Sequence, residues 1–192
     1  MTASLGYPNP DELLVTLATI LTKIVEEESF ENILEFCIIR KTLIYFRRIL
    51  SFPVLEVSLV NFMSRELVLK QYIEQMRHGY DYILIDCSPS LGMLTINALA
   101  CADEVIIPVQ AAYLPVKGLE QLIRTIGKVR RQLNRQLEIG GILITMVDNR
   151  TNYARDISEL IFDTYGSKIH IFPQSIPFSV RAAEISAEGV SI

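Results

Sequence analysis

Between Tyr80 and Ser90 the chain reads Tyr-Asp-Tyr-Ile-Leu-Ile-Asp-Cys-Ser-Pro-Ser, an apolar run that ends on a carboxylate, Asp86, and breaks into a loop containing Pro89. Such a run predicts a buried parallel strand, because strands covered by helices on both faces carry near-continuous apolar residues instead of alternating ones. Open parallel sheets bind ligands at the carboxyl edge of their strands, so this stretch constrains both the fold and the place of a site. An acid there can hold the hydration shell of a magnesium ion on a nucleoside triphosphate. The same residue also reads as a turn-forming Asp that simply closes a strand.

The remaining sequence fits one sheet-containing domain. At 192 residues, half of them hydrophobic, the chain is long enough for one sizeable core and short for two, so a single domain over 1–192 is expected. Its uncharged apolar runs fall short of the roughly 18 residues a membrane-spanning helix needs. Cys37, Cys87 and Cys101 are widely spaced in apolar surroundings, which predicts reduced, buried thiols in a cytoplasmic chain and neither a disulfide framework nor a zinc site. No basic segment followed by an apolar one opens the chain, which argues against secretion. A net charge of -4 gives no global attraction to nucleic acid, so any such binding must come from a local patch.

Apolar residues recur at helical spacing from Pro10 to Glu28, with Asp11 and Glu12 in the first turn. Met63 to Arg77 reads as a second helix opened by Ser64, leading into the strand at 82–86. A helix at Leu94–Cys101, a buried strand at Glu104–Val109, a helix at Val116–Leu133, a strand at Ile139–Val147, a helix at Tyr153–Tyr165 and a short strand at Lys168–Phe172 follow. Strand and helix alternating through short connections predict an α/β fold, a mostly parallel sheet with helices on both faces.

Within the helix after Pro115, Lys117, Gln121, Arg124, Lys128, Arg131 and Arg135 advance by fours and threes and so line one face, opposite an apolar side of Leu119, Leu122, Ile123, Ile126, Val129 and Leu133. A cationic line on an acidic chain suits DNA phosphates without sequence choice, and it equally suits a plain solvated face. Arg150 and Arg181 are secondary DNA-binding candidates. His78 reads as a helix end and His170 as a surface strand residue. With two His and no Cys/His cluster, no transition-metal site is expected.

Five blocks in order carry a family resemblance: Ile83 to Ala98, Glu104 to Gln110, Gly118 to Leu122, Thr145 to Asn152 and Ile176 to Glu184. Together they resemble the ParA/Soj/MinD partition ATPases, P-loop proteins of plasmid and chromosome partitioning. The likeness extends to Glu56–Arg65 and, more loosely, to Ala3–Glu28. It implies that Asp86 is the acid near magnesium, with Ser88 and Pro89 in a nucleotide-responsive switch loop. The family usually has Pro where Ser88 stands. It implies further that Asp148, Asn149 and Pro177 lie near the adenine. Intact relatives are expected to bind ATP and Mg2+, to dimerise over nucleotide and non-specific DNA, and to work with a ParB-like partner on the nucleoid, without membrane attachment.

The family's Gly-rich phosphate loop has no counterpart, because none of the nine Gly residues lies in a G-K-[ST] context. That loop supplies the backbone amides, lysine and hydroxyl that hold the phosphates and magnesium. The expected molecule is therefore a partial nucleotide-binding domain, incomplete at its N-terminal strands and at its C-terminus, binding ATP weakly and inactive in hydrolysis alone. The alternative is a non-catalytic DNA- or partner-binding module derived from the family.

Residues 33–54 have neither the strand nor the helix period. Permitted codons for this segment, read from the third base of the Ile33 codon, spell S-G-I-L-H-H-Q-E-D-V-D-L-L-P-A-N-I-E-L-S-G without a stop. That string is similar to what the family carries there, and the hypothesis is that 33–54 are translated out of frame. The competing reading is an inserted amphipathic helix with Arg40, Lys41, Arg47 and Arg48 as a basic face. Sequencing the coding DNA separates frame from genuine sequence: compensating insertions or deletions near codons 33 and 54 are expected, and a clean frame rejects the hypothesis.

Overall fold

The structure is a computed structural model that describes residues 38–40, 43–45, 64–87, 90–148, 150–181 and 184. The expected helix at Pro10–Glu28, and Cys37, Lys41, Arg47 and Arg48, lie outside these residues, as do Ser88, Pro89 and Asn149. The described residues fall into two compact units, one within Met1–Cys101 and Ala182–Ile192 and the other spanning Ala102–Arg181.

In the first unit, β1 (Ile38–Arg40) and β2 (Leu43–Tyr45) pair antiparallel, with Ile39 opposite Ile44. Both lie in the segment without a clean period. The inserted-helix reading is thus corrected at these positions: extended pairs of Ile, Leu and Tyr suit a strand better than a helix surface. β2 runs parallel to β3 (Ile83–Leu84). The strand expected at 82–86 is therefore only two residues long, and it is not buried, since Tyr82 is 76% and Leu84 58% exposed. Among the described strands it pairs with β2, and its apolar composition is not matched by burial on both faces.

Helix α1 (Val68–Met76) buries Val68, Leu69, Tyr72, Ile73 and Met76, a stripe at helical spacing. It starts five residues later than the sequence suggests. Ser64 does not cap it; with φ 58° it occupies the left-handed region and its carbonyl accepts from Leu67 N at 2.8 Å, closing a turn. Leu67, at the N-cap, has no side chain able to cap. The missing acceptor comes from α2 (Met93–Cys101), where fully buried Asn97 takes a 3.0 Å hydrogen bond from Leu69 N through its Oδ1. Asn97 Nδ2 donates to Arg65 O at 2.8 Å and to Met93 O at 3.0 Å. One amide therefore ties the turn before α1, the first turn of α1 and its own helix together. A 3-10 turn, Arg77–Gly79, ends α1 and holds His78 at the exposed helix end.

The second unit is built on β4 (Glu104–Gln110) and β5 (Glu138–Thr145), which run parallel and are connected by α3 (Tyr113–Gln132). β4 was expected to be buried throughout; instead Ile107 and Val109 are buried while Ile106 is 55% exposed. Only one face of that strand is covered. The register slips between Val105 and Ile106, leaving Gly140 as the extra residue of a bulge. The Glu104 side chain occupies the space a Cβ on Gly140 would need. At Gly141 a Cβ would come within 3.0 Å of His170 O and 2.8 Å of the Phe172 ring, so the backbone approach there depends on glycine.

α3 begins at Tyr113, not Val116. Pro115 falls in its first turn, where the missing N–H has no intrahelical partner to lose. α4 (Asn152–Tyr165) is capped by Thr151, whose hydroxyl accepts from Ala154 N at 3.3 Å. The strand expected at Lys168–Phe172 is reduced to an isolated parallel bridge between Ile142 and Ile171. Hydrogen bonds from Ile142 N to His170 O at 2.9 Å and from Phe172 N to Ile142 O at 3.0 Å close it. His170 is exposed and meets Phe172 edge to face at 5.1 Å. Cys101 is half-buried and Cys87 is exposed, so the expectation of buried thiols does not hold at Cys87.

Replacing Asn97 with Ala leaves Leu69 N and two carbonyls without their buried partner. The expected cost is about 2–4 kcal/mol in chemical denaturation; a change under about 0.5 kcal/mol, within the range of neutral surface substitutions, would show that water replaces the amide.

Candidate functional site

Asp86 follows β3 by two residues and is exposed at its carboxyl end. The neighbouring Cys87 thiol is pushed up from its ordinary pKa, first by the protein atoms packed around the sulfur and then by the Asp86 charge, although part of the residue reaches solvent. Its Sγ lies 3.8 Å from Ile85 O. The switch-loop candidates Ser88 and Pro89 are outside the described residues. Beyond them, Thr95 Oγ1 donates to Ser90 O at 2.6 Å and anchors the loop end to α2.

In the second unit, the parallel pairing brings the carboxyl ends of β4 and β5 to one edge. Val147 and Pro177 form a parallel bridge, with Val147 N donating to Ile176 O and Phe178 N to Val147 O, both at 3.1 Å. That bridge sets Pro177 beside the strand end that carries Asp148, so two of the three residues expected near an adenine adjoin. Asn149, the third, is outside the described residues.

Asp148 is engaged with Arg150. Its Oδ1 accepts from Arg150 Nε at 2.9 Å and from Arg150 N at 3.1 Å, and its Oδ2 accepts from Arg150 Nη2 at 3.0 Å. These bonds, with the side-chain fork leading, hold the Asp148 carboxyl below its usual range and raise Arg150 further. Thr151 N and Oγ1 both donate to Asp148 O at 3.0 Å, which closes the turn independently of the ion pair. Sequence reasoning gives Asp148 and Arg150 separate roles; the structure joins them.

Lys117, Gln121, Arg124, Lys128 and Arg131 are all exposed on α3, while Leu119, Ile126 and Val129 are buried opposite them. Arg135 is exposed just beyond the helix, and Arg181 is exposed in the terminal part of the unit. The line is not uniformly free. Arg124 Nη2 pairs with Glu120 Oε1 at 2.6 Å, and Lys117 Nζ sits 4.9 Å from the centre of the Tyr113 ring. Arg131 leans back so that Nη1 lies 3.7 Å from where a Cβ on Gly127 would be.

Residues with no place in the sequence reading also shape this edge. Ala112 cannot cap α3, and Tyr113 N donates instead to Tyr153 Oη at 3.1 Å, linking the first turns of α3 and α4. Gln110 Nε2 lies 2.9 Å from Met146 Sδ across the two strand ends. A Tyr at the start of a helix gives no periodic signal, so this cap is invisible without the fold.

An ATP–magnesium complex needs oxygen ligands and a phosphate cradle. Among the described residues no three His, Cys, Asp or Glu side chains gather as a metal site. Asp86 offers one carboxylate, and the sequence holds no G-K-[ST] loop. Magnesium on a nucleotide takes one or two carboxylates with the phosphates themselves, and Asp86 is the carboxylate the described residues offer for that role. No helix among the described residues is long and apolar enough to cross a membrane.

The family model described as an AAA domain matches residues 2–139. The chain is 44% identical over 137 residues to the sporulation initiation inhibitor protein Soj of Bacillus subtilis (strain 168), covering 71% of this chain and 53% of that protein. It is likewise 44% identical over 137 residues to the chromosome partitioning protein ParA of Myxococcus xanthus, covering 71% and 48%. The chain thus spans about half the length of the curated relatives it matches. Among solved structures, cobyrinic acid a,c-diamide synthase from Mycobacterium smegmatis, with bound ATP analog and magnesium, superposes with a TM-score of 0.80 at 28% identity, covering 97% of this chain and 74% of that one. The fold is accordingly the α/β, mostly parallel-sheet architecture of P-loop NTPases, and the chain belongs to the ParA/Soj-type family of partition ATPases.

Proposed function

We propose that this chain is a partial ParA-like nucleotide-binding domain of a plasmid- or chromosome-partitioning system, one domain over 1–192, that does not hydrolyse ATP by itself. The observation that carries this reading is the exposed Asp86 in a family member whose sequence holds no G-K-[ST] loop. Phosphoryl transfer relies on positioned cations and backbone amides around the γ-phosphate, and a single carboxylate supplies none of that stabilisation. In this reading Asp86, Ser88 and Pro89 are the candidates for the magnesium-proximal role, and Asp148, Asn149 and Pro177 the candidates for the adenine-proximal role. The natural setting is the cytoplasm at the nucleoid, with a ParB-like partner and a second copy of the chain.

A second reading, a non-catalytic DNA-binding module, is favoured by the exposed bases of α3. From Lys117 to Arg131 the line runs about 21 Å at the helical rise of about 1.5 Å per residue. That length is suited to following a phosphate backbone without reading bases. Lys117, Arg124, Lys128, Arg131, Arg150 and Arg181 are the residues assigned to it.

Two measurements test these readings. Purified chain with ATP and magnesium is expected to release no phosphate above a protein-free blank; turnover that disappears in D86N would sink the first reading. Binding to a random-sequence duplex is expected to weaken with salt. The double variant K128E/R131E should bind at least about tenfold more weakly, with a salt slope shallower by about two, because each lost phosphate contact removes roughly 0.9 from it. Equal binding by wild type and K128E/R131E would return α3 to a plain solvated face.

A further inference from the structure

We infer that Asp148 is an internal competitor for Arg150, its carboxylate occupying the guanidinium fork that a nucleic-acid phosphate would otherwise take. This inference rests on the DNA-binding reading and deepens it at one residue.

The geometry is specific. The Arg150 side chain is 87% exposed, yet both Nε and Nη2 are directed back onto the two oxygens of Asp148, at 2.9 and 3.0 Å. A parallel two-bond fork is the arrangement arginine uses on phosphate as well as on carboxylate, so both anions compete for the same donors.

The ion pair is also dispensable to the local fold. The turn is held by Thr151 N and Thr151 Oγ1 on Asp148 O, and by Arg150 N on Asp148 Oδ1. A carbonyl oxygen at position 148 would keep that last bond without the charge. Exposed pairs between near neighbours contribute little to stability. What the fork does change is availability: a partner two residues away is present at high effective concentration, and a phosphate engages only the fraction of molecules in which the pair is open.

The neighbouring cations differ in this respect. Arg124 shares its charge with Glu120 through a single short contact, and Lys117 rests against Tyr113. Arg150 alone among the candidate DNA contacts has both arms of its fork matched to a carboxylate in the described structure. Asp148 is therefore a positioning residue, acting on DNA only through Arg150.

The test is fluorescence anisotropy of the full 192-residue chain on a random-sequence duplex over a salt series, with wild type, D148N, R150Q, D148N/R150Q and D156N. Asp156 is exposed on α4 and serves as the control for removing one negative charge. D148N is expected to bind about three- to fivefold more tightly than wild type, with a salt slope steeper by about 0.9, as one further phosphate contact requires. The gain should vanish in D148N/R150Q compared with R150Q. A gain of equal size on both backgrounds, or one matched by D156N, would overturn the inference and leave ordinary charge removal as its cause. Salt-dependent wild-type binding with no gain in D148N rejects the competitor while the DNA reading stands. No binding by any variant at any salt rejects the DNA reading and the inference with it.

Discussion

Parallel pairing of β4 with β5 is the constraint on which the candidate surface depends. A parallel pair must be joined by a crossover, here α3, and it delivers both strand ends to the same edge. Gln110 and Met146 therefore meet, and α3 and α4 start close enough for Tyr153 to cap Tyr113 N. The turn at Asp148 emerges there too. Gly141 permits the arrangement by letting the chain at His170 approach β5 without a side chain between them. From that approach the chain continues to Pro177, which the bridge to Val147 holds at the strand end.

The first unit solves a different problem with one amide. Helix α1 starts after a left-handed Ser64 and an uncapped Leu67, leaving its first N–H groups without local partners. Asn97 supplies an acceptor from another helix and spends both of its donor hydrogens on carbonyls. A buried amide is acceptable only when satisfied in this way. It also fixes where α2 lies against the start of α1, and Thr95 on the same helix holds Ser90. The loop after Asp86 is thereby anchored at its far end by a buried, hydrogen-bonded helix.

What the sequence made legible was the alternation of elements after residue 64, because long amphipathic helices have a strong period. α3 and α4 were placed to within a few residues, and the extra turn at the start of α3 escaped because Pro115 reads as a barrier when it is in fact tolerated in a first turn. Burial was less legible. The run at 82–86 has the composition of a doubly covered strand, yet composition cannot say what lies on each face, and Tyr82 and Leu84 are exposed. Asn97 was missed for a related reason: a polar residue in an apolar helix gains meaning only once its distant partners are known. Asp86 is a candidate the apolar run itself proposes, whereas the Asp148–Arg150 fork needs side-chain geometry that no spacing rule contains.

Charge on this chain is consequently a matter of pairing more than of count. Overall the molecule is acidic, with a net charge of -4, and the bases of α3 stand out because that helix carries one acid, Glu120, among them. Glu120 reaches Arg124, and Asp148 reaches Arg150. Lys128 and Arg131, by contrast, carry their charges on the exposed face opposite Ile126 and Val129. A polyanion approaching such a surface meets cations in different states of readiness. Its affinity is then set less by how many bases face it than by how many must first give up a carboxylate, and that cost falls most heavily where the fork is doubly matched.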